Sequence, residues 1–346
     1  MKRILGIGSL IAFLHMAACA KKAPEAEAET ETSGQPAENS EPKGADEAPA
    51  PNRTGPFEME MLMSAAYGSD PGQLGTGGGD ESTPEGPSSF AVGRNGELFV
   101  LDPVNSRVQV YADGAPTGTF PLPTDQIEDI ALLPNGNLVL LDRHKARKLY
   151  AVNASGEPQG ELAYDGKHLS SDYLTDTMRI GDDGVWLMAG RDRFVRVADA
   201  EFKPDPARPV SHGVPSRDGE LMLGVSLAGV TVNVTVRPRT GVPRNRTTNI
   251  AFDNTVTGLY GVETDSAGNI YLFVDHLAPD EDPGAVRPRI VGKLVVLSPD
   301  LKPIRESELP VQQAPHSVLR AAVVTAGGDV YHFDAAEKQV GIRRYR

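Results

Sequence analysis

Cysteine is almost absent from this sequence of 346 residues, which contains one, Cys19. Because Cys19 lies near the N-terminus, the rest of the chain has no thiol for a disulfide, a thiolate nucleophile or a cysteine metal ligand. We therefore expect burial of apolar side chains to stabilise the folded part.

Long apolar runs and sustained helical periods are also lacking. No apolar stretch of about 18 residues follows position 18, which excludes a transmembrane helix there. The net charge of −13 argues for solubility and against non-specific binding of nucleic acid. Alternating apolar and polar residues recur after residue 55, so we expect an all-β domain.

Familiar catalytic and ion-binding motifs are missing as well. Residues 75–80 are glycine-rich but lack the Lys-Ser/Thr pair of a phosphate-binding loop, and an acid follows instead. Residues 280–284 are acidic but lack the ligand spacing of a calcium loop. We interpret both segments as inserted loops, and no Gly-x-Ser-x-Gly elbow is present.

The N-terminal segment has the pattern of an export signal. Lys2 and Arg3 precede an apolar run over residues 4–13 that is too short to span a bilayer. Met16-Ala17-Ala18-Cys19 resembles the lipobox of bacterial lipoproteins, which implies removal of residues 1–18 and acylation of Cys19. Ala20 after the cysteine points, by the same resemblance, to the outer membrane. The alternative is an ordinary signal peptide cleaved nearby.

Residues 19–54 have the composition of a tether. Residues 20–54 contain no aromatic residue, valine, leucine or isoleucine and are rich in Ala, Glu and Pro. Such a segment cannot bury enough apolar surface to offset its chain entropy. The sequence predicts a lipid-anchored disordered tether over residues 19–54 and a folded domain over residues 55–346.

A repeated hairpin decides the predicted fold. A glycine followed by a short β-rich run begins at Gly96, Gly136, Gly184, Gly219, Gly268 and Gly328. An apolar strand precedes each glycine and an alternating strand follows most of them. The average step is about 46 residues, which is typical of propeller blades.

The two ends of the domain predict how the propeller closes. The last unit supplies three strands, and residues 57–63 alternate apolar and polar residues ahead of the first full repeat. We expect this N-terminal strand to complete the last of six blades, which protects the sheet edges. Because residues 202–252 repeat poorly, five blades remain the alternative.

The first unit resembles the NHL repeat. Asp102, Asn105 and Arg107 keep the Asp-x-x-Asn-x-Arg pattern, whereas the last unit keeps Asp334 without the arginine. The resemblance implies a six-bladed β-propeller in which these polar residues brace strand turns. It specifies architecture rather than activity.

Six-bladed relatives of this family include calcium-dependent lactonases and zinc-dependent amidating lyases, whose metal ligands come from several blades at the central channel. The corresponding candidates are the residues predicted to open the inner strands: Glu128, Asp129, Asp176, Arg179, His212, Glu263, His316 and Arg320. Their charges are mixed, and no three histidines are brought together as a zinc site requires. His144 and His168 are predicted in loops and His332 in a strand. We predict no catalytic residue, metal or cofactor, and keep a metal-dependent hydrolase or lyase as the alternative.

One basic cluster breaks the acidic background. Arg237, Arg239, Arg244 and Arg246 lie within ten residues beside a β-branched strand. Guanidinium groups suit carboxylates and phosphates, so the cluster is a candidate site for an acidic partner protein or lipid headgroups. The alternative is a solvated hairpin loop.

Together these features predict a monomeric, lipid-anchored six-bladed propeller in the bacterial cell envelope, on the periplasmic or surface face. Its predicted role is a binding or scaffold module without chemistry of its own. The partners expected are the membrane, through the anchor, and an envelope protein or a phosphate-bearing ligand, but not nucleic acid.

Overall fold

The computed structural model describes residues 53–78, 84–164, 169, 177–190, 192–241, 244–279, 281, 284, 288–313 and 316–346. The chain divides into two units, Met1–Asp46 and Glu47–Arg346, and every described residue belongs to the second. Cys19 and the predicted tether up to residue 52 lie outside the described residues. Within the described ranges, no helix has the length and apolar character needed to cross a membrane.

Six four-stranded antiparallel sheets form the domain as a six-bladed β-propeller. Blade 1 contains β2 (Phe90–Val92), β3 (Leu98–Asp102), β4 (Arg107–Ala112) and β5 (Ala115–Pro121). Blade 2 contains β6 (Asp129–Leu132), β7 (Leu138–Asp142), β8 (Lys148–Val152) and β9 (Pro158–Ala163). Blade 3 contains β10 (Met178–Gly181), β11 (Gly184–Met188), β12 (Arg193–Ala198) and β13 (Val210–His212). Blade 4 contains β14 (Val214–Pro215), β15 (Leu221–Ala228), β16 (Thr231–Pro238) and β17 (Arg246–Ala251). Blade 5 contains β18 (Val256–Thr264), β19 (Ile270–Leu277), β20 (Ile290–Leu297) and β21 (Pro303–Leu309). Blade 6 contains β22 (Ala322–Val324), β23 (Val330–Ala335), β24 (Gln339–Tyr345) and, from the other end of the chain, β1 (Met59–Ala66).

The predicted closure by an N-terminal strand is confirmed. Strand β1 pairs with β24 as the outermost strand of blade 6, with Met59 opposite Tyr345 and Ala66 opposite Gln339. The strand begins two residues later than the alternation indicates, although the Glu58 amide and carbonyl still exchange hydrogen bonds with Arg346. Met63 and Ala65 are buried, so β1 contributes apolar side chains as well as hydrogen bonds.

Blade 4 settles the blade count at six. Within residues 202–252, which repeat poorly, β15, β16 and β17 form continuous ladders. The inner strand β14 has only two residues, and Gly213 alone separates it from the outer strand of blade 3. This short inner strand is the reason that the repeat is hard to recognise, and the five-blade alternative is wrong.

The repeated glycines do what a tight hairpin requires. All six have positive φ, from 70° at Gly219 to 132° at Gly184. Glycine adopts this region without the steric cost that a Cβ imposes, so the recurring residue marks the turn between the first and second strand of each blade.

Apolar packing between blades forms the core. The second strands β3 and β7 are buried at all five positions, because a neighbouring blade covers each of their faces. The third strand β16 instead alternates buried and half-buried residues. Apolar clusters join blades 1 and 2, 2 and 3, 4 and 5, 5 and 6, and 6 and 1.

The polar residues of the NHL-like pattern brace turns. The Asp102 carboxylate accepts hydrogen bonds from Asn105 Nδ2 at 2.8 Å and Arg107 Nε at 3.0 Å. In the last unit Asp334 does have an arginine partner, because Arg343 of the next strand reaches it at 2.7 Å. The arginine of the pattern is absent from the last unit, as the sequence indicates, and Arg343 from a different position in the repeat pairs with Asp334 instead.

Candidate functional site

The central channel is the first candidate, and its residues are bound to one another. We call the face where the inner strands begin the top and the face where they end the bottom. Near the top, Arg320 forms a two-pronged pair with Asp129, at 3.0 Å from Nε and 2.6 Å from Nη2. Asp129 also accepts hydrogen bonds from Ser89 Oγ at 2.6 Å and from the Met178 amide at 3.2 Å. This one carboxylate links residues of blades 1, 2, 3 and 6.

A second arginine crosses the channel between blades 3 and 5. Arg179 Nη1 donates to the Val262 carbonyl at 2.5 Å, and its Nη2 lies 3.1 Å from Glu263. Because Val262 and Glu263 are near the end of their strand, this pair lies deeper than the pair at Asp129.

A third arginine crosses the channel at the bottom. Arg217 Nη2 donates to the Val324 carbonyl at 2.7 Å, and the Thr264 hydroxyl accepts a hydrogen bond from the Arg217 amide at 2.7 Å. Thr264 and Val324 are the last residues of their inner strands, so this contact lies at the bottom of the channel. The three arginines therefore cross the channel at three levels, from its top to its bottom.

Burial and ion pairing shift the pKa values of two of these guanidinium groups in opposite directions. Burial lowers the pKa of Arg179 and outweighs the attraction of Glu263. Burial also disfavours the charged form of Arg320, but Asp129 outweighs it and raises the pKa of Arg320. Asp129 is fully buried, so removing it would leave a charged guanidinium with little solvent to replace the partner.

Several predicted channel residues lie at the top of the channel. Glu128 precedes the inner strand of blade 2 and pairs with Arg143 at 2.5 Å and His144 at 3.3 Å. His316 lies in the segment before β22 and is buried. Burial lowers the pKa of His316, whose ring packs edge-on against Tyr67 with its Nε2 3.4 Å from the Tyr67 hydroxyl.

Two of the predicted positions need correction. His212 does not open an inner strand: it ends β13, the outer strand of blade 3, where it faces Asp192 at 3.6 Å and is largely exposed. Glu263 lies near the end of its inner strand rather than at the start. Asp176 and His168 lie outside the described residues. Among the residues that are described, no group of three or more His, Cys, Asp or Glu side chains is placed to hold a metal ion.

The predicted basic cluster has varied surroundings. Arg237 donates to the His212 carbonyl, and Arg246 Nη1 donates to the Pro299 carbonyl at 2.6 Å. Arg239 pairs with Asp183 at 2.9 Å, whereas Arg244 is exposed. The structure therefore brings the four arginines to the bottom of blade 4, and Arg244 is the one among them that has no hydrogen bond or ion pair with the described residues. Their role in partner binding stays a prediction.

Arg239 takes part in a polar contact between blades 3 and 4. Asp183 accepts hydrogen bonds from Trp186 Nε1 at 2.9 Å and from Arg196 Nη1 at 3.1 Å, in addition to its pair with Arg239. The two guanidinium groups lie 5.9 and 5.8 Å from the centre of the fully buried Trp186 ring. The contact combines charge-assisted hydrogen bonds with cation–π attraction.

Replacing Asp183 by alanine should lower the free energy of unfolding by about 2 kcal/mol, because three donors lose a charged acceptor. Denaturant titration followed by the fluorescence of Trp186, the only tryptophan, measures this change at the contact itself. Asp199→Ala is the matched control, since in the described ranges the Asp199 carboxylate accepts only from backbone amides of its own exposed turn. Equal stabilities of the two variants would contradict the structural role of Asp183.

A further set of arginines was missed by the sequence interpretation. Arg53, Arg305 and Arg346 are far apart in the chain but line one groove at the bottom, between blades 5 and 6. Their convergence depends on the closure of the ring, and no local pattern in the sequence reveals it.

The fold and the channel define the class: a six-bladed β-propeller, consistent with the NHL-like resemblance, whose channel is crossed by arginine–carboxylate and arginine–carbonyl contacts. No protein-family model matches the chain, and no curated protein matches it.

Solved structures give remote likenesses. A member of the duf4221 family from Bacteroides vulgatus is 12% identical over 85% of this chain and 99% of that chain, with a TM-score of 0.47. Virginiamycin B lyase from Staphylococcus aureus is 12% identical over 83% of this chain and 99% of that chain, with a TM-score of 0.41. A gluconolactonase from Xanthomonas campestris is 13% identical over 85% of this chain and 91% of that chain, with a TM-score of 0.44. At these values the likenesses do not bear on activity, and the fold rests on the strand order itself.

Proposed function

We propose that this protein is a lipid-anchored binding module of the bacterial cell envelope, in which the propeller presents surface loops to a partner and the channel is a structural core. The observation that carries the proposal is that both carboxylate oxygens of Asp129 already accept hydrogen bonds. Its two oxygens accept hydrogen bonds from Arg320, Ser89 and the Met178 amide. A carboxylate held in this way is a poor general base or metal ligand, because its lone pairs already have donors.

The pair between Arg179 and Glu263 supports the same interpretation. A guanidinium group that donates both to a carbonyl and to a carboxylate across the channel occupies the space in which a substrate would lie. This leaves the outer surface and its loops as the region for recognition, and the propeller fold by itself does not specify what is recognised there.

The anchor and the partner are the two parts of the proposal that need experiments. Acylation of Cys19 would place the wild-type chain in the membrane fraction of its own cells, and mass spectrometry of the N-terminal peptide would show its fatty acids. The Cys19→Ser variant should lose both the acyl groups and firm membrane association, because its serine has no thiol to carry the acyl chains that would anchor the protein. A bare Cys19 in the wild type would overturn the anchor.

In-cell crosslinking tests the binding role. We expect a partner that crosslinks to the wild type to be recovered less with Arg244→Ala. This change removes an exposed charge that makes no hydrogen bond or ion pair within the described part of the chain. Arg289→Ala, another exposed arginine, at the opposite end of blade 5, is the matched control. Recovery unchanged in Arg244→Ala would exclude that arginine from the binding surface, and stoichiometric zinc or calcium in the purified chain would favour the hydrolase or lyase alternative.

A further inference from the structure

Each blade ends in an outer strand whose outward edge pairs with no further strand in the described part of the chain. Such an edge presents unpaired amides and carbonyls to other chains, so proteins commonly protect it with a proline, a bulge or a short length. Five of the six outer strands have at least one of these devices.

The protected strands use different devices. Strands β5, β9 and β21 contain proline, and each has a register shift against its neighbour. Strand β13 has only three residues, and β1 has a register shift between Met61 and Met63. These irregularities interrupt the row of backbone groups that an added strand would need.

The outer strand of blade 4, β17, has none of these devices. Its six residues pair one by one with residues 231–236 of β16, without a register shift. The strand contains no proline and no acidic residue. At the usual rise per residue its edge is about 20 Å long, which makes it a regular template for strand addition.

The register shows which groups of β17 face outwards. Phe252, the residue after the strand, donates its amide to the Val230 carbonyl at 2.8 Å and therefore belongs to a hydrogen-bonded pair. Hydrogen-bonded and non-hydrogen-bonded pairs alternate along an antiparallel ladder, so Thr247, Asn249 and Ala251 direct their amides and carbonyls away from β16. Their side chains are exposed as well, so nothing on the described surface covers these backbone groups.

Arginines at the bottom end of β17 indicate the charge of the occupant. Arg244 lies two residues before the strand and is exposed, and Arg246 is its first residue. Asp300 adjoins the contact of Arg246, because it follows Pro299 in the chain. Arg244 has no ion-paired carboxylate among the described residues, so an acidic side chain of an added strand would gain a charge-assisted hydrogen bond there.

The size of the edge favours a peptide segment over a second folded copy of the chain. A stable interface between two folded proteins takes about 20–30 residues from each side, whereas β17 has six. An extended segment needs only the edge, because its affinity comes from main-chain hydrogen bonds.

We propose that β17 binds an extended segment of a partner protein by strand addition, with carboxylates of that segment beside Arg244. The inference rests on the proposed binding role and assigns the surface that performs it. The added strand runs antiparallel to β17, like the other neighbouring strands of this sheet, so its acidic residues lie at its C-terminal end. It makes a fifth strand of blade 4.

A synthetic peptide tests the proposal. It has the sequence of residues 231–236, which already form the inner neighbour of β17, followed by two glutamates and blocked at both ends. Fluorescence anisotropy of the labelled peptide should show saturable binding to the full chain in detergent. We expect binding to weaken about fivefold or more in Asn249→Pro, because proline removes an outward N–H without removing a hydrogen bond to β16. Asn249→Thr, which keeps the amide, is the matched control and should bind like the wild type.

Methylation of the peptide backbone gives a second test in which the protein is unchanged. Two versions of the peptide are methylated on alternate amides, one at odd and one at even positions. Successive amides of a strand point to opposite edges, so one version should bind and the other should lose about tenfold or more in affinity. This test stays valid if Asn249→Pro does not fold, which denaturant titration followed by Trp186 fluorescence detects.

The charge of the peptide has its own readout. A peptide that ends in two lysines should bind the wild type more weakly than the peptide that ends in two glutamates. Arg244→Gln should reduce this preference about threefold or more, because the carboxylates lose their charged donor. Arg289→Gln, an exposed arginine at the opposite end of blade 5, should keep the preference of the wild type.

Three results would overturn the proposal: no saturable binding of the glutamate peptide, equal affinity of folded Asn249→Pro and Asn249→Thr, or equal affinity of the two methylated peptides. Dimerisation of the wild type in sedimentation, with Asn249→Pro monomeric, would overturn it too and assign the edge to a second copy of the chain. Acylation of Cys19 and crosslinking through Arg244 are measured separately. A crosslinked partner without peptide binding would therefore keep the proposed function and place its contact away from β17.

Discussion

Replacing Asp129 by alanine should lower the free energy of unfolding by about 3–5 kcal/mol, the range for breaking a buried ion pair. Asp129 is fully buried, and its removal leaves the Arg320 guanidinium without its carboxylate. The Ser89 hydroxyl and the Met178 amide lose their acceptor as well. Denaturant titration followed by Trp186 fluorescence measures the change.

Two controls separate the buried charge from a general effect of losing an aspartate. Asp125→Ala removes an exposed partner of Lys145 and should leave stability unchanged. The double variant Asp129→Ala with Arg320→Leu should be more stable than Asp129→Ala alone, because the unpaired guanidinium is gone. If Asp129→Ala unfolded at the same denaturant concentration as wild type, the channel would not be the structural core described above.

Acidification should destabilise the protein through His332. This side chain is fully buried in β23, and burial lowers its pKa from 6.5 to about 4. Asp334 opposes the shift and Arg343 adds to it. The unfolded chain therefore binds a proton below pH 6.5 that the folded chain refuses until about pH 4. The contribution of His332 to stability should be highest above pH 6.5 and fall by about 1.4 kcal/mol per pH unit below it, or about 3 kcal/mol by pH 4.

The surroundings of His332 explain why its charged form is excluded. Its Nε2 lies 3.4 Å from the Tyr260 hydroxyl, and its Nδ1 has no partner among the described residues. Substituting glutamine removes the titration, so stability of His332→Gln should depend less on pH between about 6.5 and 5 than that of wild type. His212→Gln, at a largely exposed histidine, is the matched control and should follow the wild type. Identical pH dependence in wild type and His332→Gln would refute the assignment.

Much of the architecture could be predicted because it depends on local repetition. A glycine at each hairpin, alternation in the following strand and an unpaired strand ahead of the first repeat are sufficient to indicate six blades and their closure. The pattern fails where blades 3 and 4 meet. Only Gly213 separates β13 from β14, so the sequence there cannot tell an outer strand from an inner one, and His212 was assigned to the wrong strand.

The candidate sites were harder to predict because their residues come from distant parts of the chain. Arg320 and Asp129 are 191 positions apart, and Arg53 and Asp329 are 276 apart. The sequence predicts a binding role for the basic cluster because its four arginines lie within ten residues. In the structure, however, Arg239 pairs with Asp183 and links blades 3 and 4. Proximity in the chain is a poor guide to function in a ring, where the channel and the seam collect residues from every blade.

Ring closure by β1 also constrains the order of events during synthesis. The strand is made among the first segments of the domain, but its partner β24 is among the last, with Met59 opposite Tyr345. In the nascent chain, Met63 and Ala65 of β1 therefore lack their final packing partners while five blades are produced. The entropy lost when such distant segments are joined slows the final step. Until that step, both β1 and β24 present open edges, which favour aggregation of the emerging chain.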